Sequence, residues 1–109
     1  MAFDEGVAQR LREVFADRTD VVEKKMFGGI AFMVSGNMCC GVVGEELMAR
    51  VGPGQYEKAL KEPYAREMDF TGKPMKGFVY VDVQGFASDE DLESWVGRCE
   101  QFVDTLPPK

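Results

Sequence analysis

"KKMFGGIAFMVSGNMCCGVV" runs from Lys24 to Val43 and carries four glycines, three methionines and two adjacent cysteines. Three readings compete for such a run: a phosphate-cradling loop, a metal or redox centre, or a packed sheet. Periodicity decides for the sheet. Ile30, Phe32 and Val34 alternate with Ala31, Met33 and Ser35, as a strand requires. Gly36-Asn37 follows as a two-residue hairpin loop, because both residues tolerate positive φ. On that register Ser35 opposes Met38, Val34 opposes Cys39, and Met33 opposes Cys40. Ala31, Met33, Met38, Cys40 and Val42 then share one apolar face. Ile30, Phe32, Val34, Cys39 and Val43 share the other.

The rival readings lack the spacing they need. Phe27-Gly28-Gly29-Ile30 offers backbone N–H groups to an anion. It has no G-x-x-x-x-G-K-[ST] pattern, however, and a strand follows it rather than a helix N-terminus. The two glycines read as a bulge or a close crossing. Cys39 and Cys40, as strand neighbours, point to opposite faces and do not converge on one ion. Cys99 sits on a helical stripe and would lie near Cys39 only if both meet the same core layer. Three cysteines, with no C-x-x-C spacing, are expected to be free and mostly buried.

Outward from the hairpin, Phe3 to about Asp17 reads as an amphipathic helix capped by Asp4, ending near Arg18-Thr19-Asp20. Val21 to Phe27 is extended. Glu46 to Val51 forms a strand with Leu47, Ala49 and Val51 on one side, Met48 and Arg50 on the other. Gly52-Pro53-Gly54 leads into a short helix that Pro63 stops. Residues 64–77 read as irregular, punctuated by Gly72, Pro74 and Gly77. Phe78 to Val83 is a strand. In the last helix Ser88 caps and Asp91 completes an S-x-x-D box. Leu92, Trp95, Val96, Cys99, Phe102, Val103 and Leu106 form its stripe, and Pro107-Pro108 ends it. This order predicts an α+β domain: an antiparallel sheet of about five strands, with N- and C-terminal helices and one short middle helix packed on it in two layers.

The totals narrow the function. A chain of 109 residues makes one domain, 1–109, with 45% hydrophobic and 29% charged residues, as in soluble proteins. No apolar run reaches the ~20 residues that span a bilayer, and no signal peptide opens the sequence, so no membrane role and a cytoplasmic location are expected. The absence of histidine removes Ser-His-Asp and Cys-His catalysis and histidine-ligated zinc. No cofactor is expected, and Asp82 and Glu90 give no sign of a catalytic pair. The net charge of −6 is uneven: −2 over residues 1–20, +1 over 21–80 and −5 over 81–109. Only the middle could hold a basic face for phosphates, through Lys24, Lys25, Lys58, Lys61 and four further cations.

"KKMFGGIAFMVSGNMCCGVV", "LMARVGP", "KPMKGFVYVD" and "DEDLESWVGRCEQFVDTLPPK" together resemble, in order and over nearly the whole chain, the N-terminal domain of the TfoX/Sxy family. That family is associated with control of natural competence in bacteria. The resemblance implies a two-layer fold like that of secretion chaperones and a regulatory, non-catalytic role. Full-length members continue into a helical second domain, whereas this sequence stops at Lys109 as a stand-alone copy. The expectation is a non-enzymatic regulatory module acting through an unidentified protein partner and associating as a homodimer. Candidate contacts are Met33 and Met38 on an apolar sheet face, with Lys24, Lys25, Arg50, Arg66, Lys73 and Lys76. The alternative is a transcription-linked regulator touching nucleic acid through the Lys24/Lys25 and Lys73/Lys76 region, a partner class the acidic balance disfavours.

Overall fold

A computed structural model describes residues 3–26, 28–69 and 74–108. The elements are α1 (Glu5–Val14), β1 (Val21–Met26), β2 (Gly29–Val34), β3 (Asn37–Val43), β4 (Glu46–Arg50), α2 (Tyr56–Leu60), β5 (Ala65–Asp69), β6 (Pro74–Val81), a 3-10 turn at Val83–Phe86 and α3 (Asp89–Val103). The six strands form one sheet in the order β1-β2-β3-β4-β6-β5, and every pairing is antiparallel. Val7, Leu11, Tyr56, Ala59, Leu92, Val96 and Cys99 bring all three helices onto one face. The architecture is the expected α+β arrangement of sheet and helices.

Local chemistry sets the helix ends. Asp4 accepts hydrogen bonds from the Gly6 and Val7 amides, and Ser88 accepts one from the Asp91 amide, so each side chain satisfies N–H groups a helix leaves open. Asp89, Glu90 and Asp91 then sit at the positive end of the α3 dipole. On the helix face, Phe15 stacks on Phe32 with centroids 5.6 Å apart. Truncating a buried phenylalanine such as Phe32 to alanine costs about 3–5 kcal/mol.

The central hairpin departs from the expected register. Its loop is Ser35-Gly36, with φ of 50° and 84°, the pair of positive angles that a right-twisted hairpin turn takes. Val34 therefore opposes Asn37 and Met33 opposes Met38. Asn37 is drawn into the strand because its buried amide donates to the Pro107 carbonyl at 2.9 Å. Ser35 is held in its left-handed conformation by Asp20, whose carbonyl takes the Ser35 amide and whose carboxylate takes the Ser35 hydroxyl.

A second departure follows one residue later. The register shifts between Met33 and Phe32, so that Phe32 opposes Cys40 and Ile30 opposes Val42. Cys39 is the extra residue of a β-bulge. Past it, the side chains of β3 change faces, since a slip of one residue inverts a strand. Cys39, Cys40 and Val42 all join the helix-side core, while Val43 joins the opposite face. The opposed placement of Cys39 and Cys40 expected from strict alternation does not hold, for this reason.

The sequence also hid a strand. Ala65–Asp69 forms β5, and β6 starts at Pro74 rather than Phe78. Prolines and glycines fragment the hydrophobic pattern here, and β5 is a charged edge strand with a bulge between Glu67 and Asp69. Gly29 and Gly41 are needed where strands crowd. A Cβ on Gly41 would strike the Ile30 carbonyl oxygen and lie 3.0 Å from the Ala31 Cα.

One ion cluster ties the hairpin to the C-terminal end of α3. Arg18 binds Asp20 at 2.9 Å, Glu100 at 2.8 Å and Asp104 at 3.1 Å. Arg18 and then the Ser35 hydroxyl hold Asp20 well below the usual carboxylate range. A carboxyl lowered in the folded chain binds fewer protons there than in the unfolded chain. Its contribution is present above the unfolded value of about 4 and lost as pH falls below it. Urea unfolding should show Asp20→Asn less stable than the parent at pH 6, with the gap closing towards pH 2. A gap unchanged over that range would contradict this role.

Candidate interaction surface

The bulge gathers the thiols. Cys39, Cys40 and Cys99 are free and fully buried, contributed by β3 and the facing stripe of α3. The neighbouring Cys40 and Cys99 thiols favour the ionised form of the Cys39 sulfur, which lowers the Cys39 thiol. The same contacts, followed by burial, push Cys40 and Cys99 up. Such a set would be a reaction centre only if a substrate or ion could meet it. All three residues have no accessible surface. Among the described residues no group of three His, Cys, Asp or Glu side chains has the arrangement to hold a metal.

The face of the sheet away from the helices forms a second cluster. Ala31, Met38, Met48, Met68 and Tyr80 are buried there, with Met26, Met33, Val43 and Phe78 packed against them. Every strand contributes, and the flexible methionine side chains fill the twisted surface. Met38 is only 8% exposed, whereas Met33 remains half-buried. Among the described residues the large hydrophobic side chains left exposed are Val22 at 64% and Tyr64 at 44%.

The cationic candidates scatter rather than converge. Lys24 opposes Ala31 and Lys25 opposes Ile30, so they project to opposite faces of the edge strand β1. Arg66 pairs with Glu46 and stacks over Tyr80 at 4.7 Å. Arg50 lies between the rings of Phe78 and Phe102, at 5.6 and 5.3 Å, and donates to the Met38 carbonyl. These contacts use the guanidinium planes in packing. Lys76 is exposed on β6, and Lys73 lies outside the described residues, as does Phe27 of the glycine motif. The structurally engaged Arg18 had no distinguishing sequence signal, because only Asp20 of its three acidic partners is near in the chain, and Glu100 and Asp104 are 82 and 86 positions away.

A cavity of about 220 Å³ opens beside α3, lined by residues including Glu62, Tyr64, Asp91, Trp95 and Arg98. Arg98 pairs with Glu62 and covers the Trp95 ring at 4.7 Å. Among the described residues no side-chain hydrogen bond prepares Ser94 in its wall as a nucleophile. No helix among the described residues is long and apolar enough to cross a membrane.

Fold and surface thus define an α+β domain with one helical layer, whose sulfur-rich centre is packing. The chain belongs to the TfoX N-terminal domain family, whose model matches residues 13–103. No curated protein matches the chain.

Burial makes a direct prediction about the thiols. A thiol reagent at pH 8 should modify none of the three cysteines in the native chain within minutes, and all three in denaturant. Rapid native labelling of Cys39 would contradict the packed arrangement.

Proposed function

We propose that this chain is a non-enzymatic cytoplasmic regulatory module that works through protein contacts and self-associates. Membership of the TfoX N-terminal domain family supports a regulatory role. The observation that carries the reading is the fate of the reactive groups. The cysteines are enclosed, and Arg18, Arg50, Arg66 and Arg98 are engaged in ion pairs or ring contacts. What remains to meet a partner includes the exposed edge of the sheet and its side chains Val22, Lys24 and Lys25. The nucleic-acid alternative gains no support from the spread of Lys24 and Lys25 over two faces, or from the net charge of −6.

Size-exclusion chromatography with light scattering tests the association. The mass should rise from one chain toward two as concentration increases through the micromolar range, because a small interface gives weak binding. A single-chain mass at millimolar concentration would overturn self-association. In the same samples a labelled DNA duplex should remain unshifted at low salt, where phosphate contacts are strongest.

A further inference from the structure

We propose that the edge of β1 is a self-complementary docking strand, and that a second copy of this chain adds its own β1 to it antiparallel, with the two-fold axis at Lys24. This rests on the self-association proposed above and assigns it a surface and a register.

The sheet has two edges, β1 and β5. β5 is bulged and follows closely on Pro63, features that blunt pairing. β1 runs six residues against β2 with no shift of register. It carries Val22, the most exposed large hydrophobic side chain among the described residues. The direction of its backbone groups follows from its pairing. The Ser35 amide donates to the Asp20 carbonyl, and Val21 opposes Val34. Asp20 thus begins the series that bonds toward β2, which continues through Val22, Lys24 and Met26. Val21, Glu23 and Lys25 turn their N–H and C=O groups outward, where a further strand would take them.

Two copies joined edge to edge by a two-fold axis must keep their helices on the same side of the joint sheet. Residue numbers facing each other then add to an even total. With the axis at Lys24, Glu23 of each copy, held by Arg12 of its own chain at 2.9 Å, faces Lys25 of the other, so that its carboxylate lies between two cations. Val22 faces Met26 on the side away from the helices, where Met26 already packs. The order apolar, acid, base, base, apolar from Val22 to Met26 is what makes the strand match its own reverse. The neighbouring alternative, with the axis at Glu23, would oppose two carboxylates and set Val22 against Lys24. The favoured register opposes only the two Lys24 side chains, which are long enough to diverge into solvent.

The test is a charge exchange read by light scattering and analytical ultracentrifugation, with circular dichroism to check folding. Glu23→Lys alone and Lys25→Glu alone should each weaken association at least about tenfold, since both facing pairs become repulsive. Mixing the two variants should restore a dimer, because each Lys of one then meets a Glu of the other. A Lys24→Cys chain should link to a second copy on mild oxidation by glutathione disulfide. The two introduced thiols lose their protons and two electrons in forming the S–S bond, and the oxidant is reduced to two glutathione thiols. A parent chain that stays monomeric would end self-association itself. A parent dimer indifferent to both charge variants, or a mixture that fails to associate, would end the β1 assignment alone.

Discussion

The central hairpin has to satisfy two demands at once. Its loop end is fixed by Asp20 and Pro107, which hold Ser35 and Asn37 through backbone and side-chain hydrogen bonds. Its far end must present Ile30 and Val42 to the helices. An unbroken ladder cannot meet both, because the tight Ser35-Gly36 turn sets Met33 against Met38 and would put Cys40 and Val42 on the wrong face. The extra residue at Cys39 corrects the phase. A residue left without a cross-strand partner costs ladder hydrogen bonding, but it lets Cys40 and Val42 enter the core alongside Cys39. Burial of a side chain such as Val42 is worth about 1.5–3 kcal/mol, more than one net hydrogen bond of about 1 kcal/mol.

This phase change also explains the composition of the region. Small residues suit a place where β3 bends under α3, and the thiol is a compact apolar filler there. Gly41 lets β3 pass close to the backbone of β2. Methionines occupy the opposite face, where a twisted six-stranded sheet offers an irregular surface to fill. The sulfur and glycine content therefore has a packing origin on both sides. The Arg18 cluster then locks the hairpin and the end of α3 into one unit.

Much of this was legible in the sequence. The period of two from Ile30 to Val34, the Ser88 cap and the stripe from Leu92 to Val103 each depend on neighbours along the chain, and each predicts its element correctly. The faces of β4 were legible for the same reason. The bulge was not, because its cause lies in contacts from Asp20 and Pro107 that no local pattern encodes. β5 escaped because an edge strand with charged residues shows little alternation. Among the candidate contacts, the charge types were readable but their partners were not: the pairing of Arg66 with Glu46 spans 20 positions. The opposed directions of Lys24 and Lys25 follow simply from strand alternation.

The fold built this way encloses its sulfur-rich interior and leaves β1 as an edge strand. That view stands or falls with the hairpin register, which nuclear Overhauser contacts between α-protons report directly. Close Hα–Hα contacts are predicted between Met33 and Met38 and between Ala31 and Gly41, the widely spaced hydrogen-bond sites of β2 and β3. A contact from Ala31 to Cys40 or Val42 instead would remove the bulge, and with it the packing account of the cysteines.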